Sequence, residues 1–184
     1  MNLSPTKLML GTFALSAIYL LYGPKKIDNY YAFVTMIEAG VYSIIILIAF
    51  NIKNIKLWFL FPVIAALLNY VFVIELWPYV VVLPALLSEN LNLYNSLYHT
   101  VIIFSWYSLL GALFYCFLLD MLVASSQLTT LSYIFVVILC SLAGIAWILE
   151  EFNIDWYLAA HKVTWWVMFS IGLLLSEMLK RKNA

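Results

Sequence analysis

The stretch VFVIELWPYVVVLPALLSEN, residues 71–90, decides how often this chain crosses a membrane. It is apolar on both sides of Glu75, and it carries Pro78 and Pro84 six residues apart. From Tyr79 to Leu87 only nine apolar residues precede Ser88, Glu89 and Asn90, whereas a helical crossing needs about 20. Each proline also lacks a backbone donor and breaks a continuous helix. The segment 78–88 therefore reads as a short re-entrant or interfacial element. Backbone at that depth is tolerated only where protein or water covers it, so it should pack over the mouth of a bundle. Two roles stand side by side, a cap or spacer and a lid or pore-lining loop.

The rest of the chain supplies the bundle. Its 184 residues are 66% hydrophobic and 10% charged, with a mean hydropathy of +1.03. Soluble domains hold about 45–50% apolar and about 25% charged residues. A soluble fold of this size has no interior large enough to hide that surface. Apolar runs predict spans at 6–22, 30–51, 56–76, 96–121, 129–150 and 156–179. The opening run, which begins after Lys7, reads as an uncleaved span rather than a signal peptide, because everything downstream is equally apolar. Short connections make successive helices antiparallel. The expected fold is an all-α polytopic membrane protein, one compact bundle of about six transmembrane helices forming a single domain over 1–184, with no soluble domain.

Charge sets the orientation. With an even number of spans both termini share a side, and that side holds six basic residues: Lys7, Lys53, Lys56, Lys180, Arg181 and Lys182. The opposite side holds only Lys25 and Lys26, together with Asp28, Glu89, Glu150, Glu151 and Asp155. The positive-inside bias predicts cytoplasmic termini. Glu75 then lies about 28 Å from Lys56 along its helix, near the outer interface, with Trp77 and Tyr79 as aromatic anchors.

An ionisable residue deep in a span is the best functional pointer such a sequence offers. Glu38 is the clear case, about 12 Å into its helix from Tyr30. Thr35, Glu38 and Tyr42 recur on one helical face, with Tyr31 a turn above. Burial disfavours a lone charge, so two readings remain. One is a neutral group bonded to a neighbouring helix. The other is a proton, ion or ligand site. His161 and Lys162 lie just inside the outer end of the last span, where Lys162 can snorkel and His161 precedes Trp165 in an aromatic belt. His99, His161, Glu150, Glu151 and Asp155 form a candidate polar cluster on the outer face. It attracts cations as an acidic rim, but no HxxxH or HxxE spacing points to a metal, and no cofactor is expected. Asn69 reads as a hydrogen-bonding contact between helices. Asp120 and Glu177 read as interfacial, the latter paired with Lys180 and Arg181. Small residues (Ser105, Ser108, Gly111, Ala112, Ala143, Gly144, Gly172 and Ser176) mark close helix contacts. Cys116 and Cys140 sit in apolar runs without a CxxC, and read as small buried hydrophobes rather than as a disulfide.

The nucleophile, zinc-protease, phosphate and dinucleotide motifs are all missing. No serine, histidine and acid appear at matching depths, and balanced charge argues against direct nucleic-acid binding. The expected function is a small non-enzymatic membrane subunit in the plasma membrane, of the bacterial inner-membrane type: a sensor, scaffold or small pore. It would act as a homo-oligomer with a cytosolic partner docked on Lys53, Lys56, Lys180, Arg181 and Lys182. Stress or anti-phage systems supply the analogy. The alternatives are a carrier or channel using Glu38, and an intramembrane lipid-modifying enzyme using His99 or His161.

Overall fold

The computed structural model describes residues 3–23, 31–71, 82, 86, 97–124, 128–151 and 156–182, and every element among them is helical. The segment 78–88, with Pro78 and Pro84, lies outside the described residues apart from the helical positions Val82 and Leu86, and so do Glu75 and Trp77. The helices are α1 Pro5–Tyr22, α2 Tyr31–Ala49, α3 Ile55–Val71, α4 Leu97–Leu119, α5 Thr130–Ser141 and α6 Tyr157–Lys182. A π-helical turn, Asp120–Ala124, extends α4, and a 3₁₀ segment, Leu142–Trp147, with a single α turn, Ile148–Glu151, extends α5. Three of these are long and apolar enough to cross a membrane, over Thr100–Leu122, Thr130–Trp147 and Tyr157–Lys180. Phe33–Ala49 and Ile55–Val71 are shorter apolar helices.

Local chemistry explains the boundaries. Pro5 opens α1, where its missing N–H costs nothing. The α2–α3 turn is a Schellman closure. Asn51 takes the left-handed position at φ 52°, its N–H reaches Ile48 O at 3.1 Å, and Ile52 N–H reaches Leu47 O at 3.1 Å. Asn54 then caps α3, its side chain accepting from Lys56 N–H at 3.0 Å. Thr129 and Ser132 form a reciprocal capping box at the start of α5. Helix α3 continues through Pro62, whose buried ring leaves Trp58 O without its usual intrahelical donor.

The helices pack as a closed ring in chain order. Each lies against its successor, and α6 closes on α1. The α2–α3 and α5–α6 interfaces are extensive, whereas among the described residues α3 and α4 are the most loosely packed neighbours in the ring. The polarity pattern is inverted relative to a water-soluble bundle. On α2, Phe33, Ile37, Val41, Ile44 and Ile48 face outward while Thr35, Glu38, Tyr42 and Ser43 are buried. Phe59, Val63 and Leu67 on α3, and Phe114 and Phe117 on α4, continue the exposed apolar belt. Such a belt is the surface expected against lipid.

Two glycines let backbones touch. A Cβ on Gly144 would lie 2.3 Å from Ser105 N, and one on Gly172 would lie 2.8 Å from Val136 Cα. Gly111, also expected at a helix contact, has open space around it instead. Residues 129–150, expected as one regular helix, tighten to 3₁₀ geometry from Leu142, the same stretch that presses Gly144 onto α4. Cys116 and Cys140 are both buried and free.

Candidate functional site

The centre of the ring is aromatic. Tyr42, Phe61 and Phe169 are wholly buried. Tyr115 contacts Phe61, Trp165 and Phe169 with ring centroids 5.8, 5.9 and 5.1 Å away. Tyr42 lies over Trp166 at 6.2 Å, nearly parallel, and Trp166 meets Tyr19 edge-on at 5.2 Å. The hydroxyls of Tyr42 and Tyr115 are satisfied. Tyr42 donates to Trp166 O at 3.1 Å and shares a 2.8 Å bond with Ser170, which is bonded in turn to Thr12 at 2.9 Å. Tyr115 pairs with Ser43 at 2.5 Å. This layer is aromatic and hydrogen-bonded, and Tyr42, Tyr115, Trp165 and Trp166 form one wall of what lies beside it.

Toward the ends where α2, α4 and α6 begin, the interior changes character. A cavity of about 70 Å³ is lined by Thr35, Glu38 and Tyr42 from α2, Asn69 from α3, Ser108 and Gly111 from α4, and His161 and Lys162 from α6. Glu38 is 6% exposed, and neither carboxylate oxygen has a hydrogen-bond partner. The Tyr19 hydroxyl approaches it but does not reach hydrogen-bond geometry and is itself unpartnered. The Lys162 ammonium lies within electrostatic reach of Glu38. Asn69, expected to bridge helices, has a buried side-chain nitrogen without a partner.

His161, expected in a polar cluster on the outer face, is a buried side chain. It is 3% exposed, walled by Phe104, Tyr107 and Trp147 at centroid distances of 6.2, 6.5 and 5.8 Å. Its Nε2 is 2.8 Å from Ser108 Oγ, while the Ser108 hydroxyl donates to Phe104 O at 2.8 Å. The serine proton is thus committed to the backbone, so Nε2–H donates to Ser108. Nδ1 is left as a buried acceptor, and it has no partner. Trp165 Nε1 donates to Ser108 O at 3.1 Å, so α6 grips α4 through one residue. A serine and a histidine therefore meet at matching depth, without the acid that a triad would add.

Of the other outer-face candidates, only backbone positions are described, or none. His99 lies in the first turn of α4, and Glu150 and Glu151 end the turn after the 3₁₀ segment, their side chains outside the described residues along with Asp155. Among the described residues, no group of three or more His, Cys, Asp or Glu is placed to hold a metal. Asp120 opens the π turn and accepts from Leu128 N–H at 3.5 Å, a structural contact.

A second cleft, of about 80 Å³, lies between α3 and α4. Its walls are Ala65, Leu68, Val71, Phe114 and Leu118, and it shares Asn69, Gly111 and Tyr115 with the polar cavity. Sequence reasoning missed this feature. Its one signal was a glycine, Gly111, with no helix pressed against it. Comparison with protein-family models, with curated proteins and with solved structures returns no significant match.

Proposed function

We propose that this chain is a multi-pass membrane protein that binds a small cationic or zwitterionic ligand inside its helical bundle, as a carrier or ligand-sensing subunit and not as an enzyme. The observation that carries the reading is Glu38, buried beside a cavity with both carboxylate oxygens unpartnered. A buried acceptor left without a donor costs about 1–3 kcal/mol, and more when charged. A ligand ammonium would relieve that cost, and Lys162, His161 Nδ1 and Asn69 offer further polar contacts. Size sets how much enters. A cavity of about 150 Å³ holds benzene, so about 70 Å³ seats the amine-bearing end of a ligand, the remainder of which lies outside it. In the proposed orientation both termini are cytoplasmic, in a plasma membrane of the bacterial inner-membrane type, and the cavity lies in the outer half. A homo-oligomer whose basic face (Lys53, Lys56, Lys180, Arg181, Lys182) docks an acidic cytosolic partner would turn occupancy into a signal.

The test is thermal unfolding of the purified protein with ethylamine, with tetramethylammonium as control. Binding to the folded state raises stability as ligand exceeds Kd, by about 2.7 kcal/mol at a hundredfold excess. Ethylamine should raise the midpoint of the native protein. Glu38→Gln, which keeps size and polarity, should stay monodisperse and lose the shift. Equal shifts in the two proteins, or none in either, would refute the reading. Glu38→Leu does not discriminate, because it also strips polarity from the cavity.

The 2.8 Å contact between Ser108 and His161 favours a second reading, an intramembrane acyl-transfer enzyme with Ser108 as nucleophile and His161 as base. Covalent capture of Ser108 by a fluorophosphonate would establish it. Under the binding reading Ser108 stays unlabelled, its proton held by Phe104 O.

A further inference from the structure

We infer that the ligand of this cavity is the primary-ammonium, zwitterionic head of a membrane lipid, which enters sideways between α3 and α4. This rests on the binding reading above and specifies its substrate class. The first ground is continuity. The polar cavity and the apolar cleft adjoin at Asn69, Gly111 and Tyr115, which line both, and the cleft is bordered by Leu68 and Phe114, which are 45% and 51% exposed. A free amine has no use for an apolar approach, whereas a lipid needs one.

The second ground is the seam itself. Among the described residues, α3 and α4 make the slightest neighbour contact in the ring, and the open space at Gly111 lies on that line. Among the described residues, Gly144 and Gly172 are packed down to backbone contact while Gly111 is not.

The third ground is charge order. Glu38 and Lys162 line the same cavity with opposite signs, which matches an ammonium and the phosphate beside it. Lysine serves as a point charge for phosphate, and a carboxylate accepts charge-assisted bonds from a primary ammonium. A trimethylated ammonium donates none and is bulkier than a primary one. Phosphatidylethanolamine therefore fits, and phosphatidylcholine does not. The aromatic layer of Tyr42, Tyr115, Trp165 and Phe169 closes the inner wall, so the head stops there.

The experiment is lipid retention. The purified protein is equilibrated in mixed micelles with equimolar dioleoyl phosphatidylethanolamine, phosphatidylcholine and phosphatidylglycerol, and the adducts are weighed by native mass spectrometry. The native protein should hold phosphatidylethanolamine about tenfold over either competitor, the scale of one charge-assisted bond. Glu38→Gln should abolish that preference. Gly111→Leu, whose side chain grows into open space, should lower retention of all three lipids, and its helicity and monodispersity report that it has folded. Equal retention of the three lipids by the native protein would overturn the inference, as would undiminished retention by folded Gly111→Leu. If ethylamine shifts the native midpoint while no lipid is preferred, the lipid inference falls and the binding reading stands. If Glu38→Gln keeps both the amine shift and the lipid preference, both fall.

Discussion

Replacing Gly111 and Gly144 by alanine makes the same chemical change on two packed segments and should move stability in opposite directions. At Gly111 the added methyl meets nothing within 4 Å. The helix simply exchanges a permissive residue for its best former, a gain of about 0.8–1.0 kcal/mol. At Gly144 the methyl would lie 2.3 Å from Ser105 N and 2.6 Å from Ser105 Cα. Those are backbone atoms of α4 and cannot rotate aside, so the 3₁₀ segment must back away. Overpacking of this kind costs about 1–3 kcal/mol, and the segment that retreats carries Trp147, which stacks on Phe104 at 3.4 Å. For a chain of this length 1 kcal/mol moves the midpoint by about 2–4 °C. Gly111→Ala should therefore unfold about 2–4 °C later than the native protein, and Gly144→Ala between about 2 and 12 °C earlier. Circular dichroism in one detergent at one scan rate makes the comparison, since membrane-protein midpoints depend on scan rate. Gly172→Ala, with Val136 Cα at 2.8 Å, should fall on the destabilised side. A Gly144→Ala midpoint equal to or above that of Gly111→Ala would refute the packing described between α4 and the 3₁₀ segment.

Other outcomes follow from the same geometry. Ser170→Ala should cost about 1 kcal/mol, because it strands the Thr12 hydroxyl while Tyr42 keeps Trp166 O. Adding Thr12→Val should cost less than the separate effects combined, and additive losses would show that the pair is not coupled. Reporters fused to the two termini should both read cytoplasmic, and an outside reading from either would end the six-span topology. Cysteines at Tyr79 and Ser88 should label from one side of the membrane. Labelling from opposite sides would make residues 78–88 a crossing.

How much of this was legible beforehand depends on whether a feature belongs to one helix or to several. The buried stripe of Thr35, Glu38 and Tyr42 was readable, because helical periodicity alone places those residues on one face. The caps at Asn54 and Thr129 follow from local chemistry of the same kind. The partner of His161 was not readable. Ser108 lies 53 residues away, and the axial offset of α4 against α6 is set by packing that no single segment encodes. Lys162, read as able to snorkel outward, also lines the cavity, and its interaction with Glu38 depends on how α6 sits against α2. Asn69 followed the same pattern: its polarity was visible, but its exclusion from any bond on nitrogen depends on how far α3 stands from α4. Glycine was ambiguous for the same reason. Gly144 and Gly111 look alike in sequence, and one is pressed against backbone while the other faces a gap.

The ring that closes α6 onto α1 also bears on biogenesis. Helices enter a membrane in the order in which they are synthesised, and here the first must wait for the last. Thr12 finds Ser170 only after 158 further residues have been made, and Tyr42 waits for Trp166 O and Ser170 as well. In a bilayer, until α6 arrived, those hydroxyls would face lipid with their intended partners absent, and of its two neighbours among the described helices α1 would have α2 alone. Such long-range closure is slow and leaves partly assembled intermediates exposed. A nascent chain arrested before residue 157 would thus display an open polar flank to the bilayer, a mark by which an insertion chaperone or a membrane protease could tell unfinished molecules from finished ones.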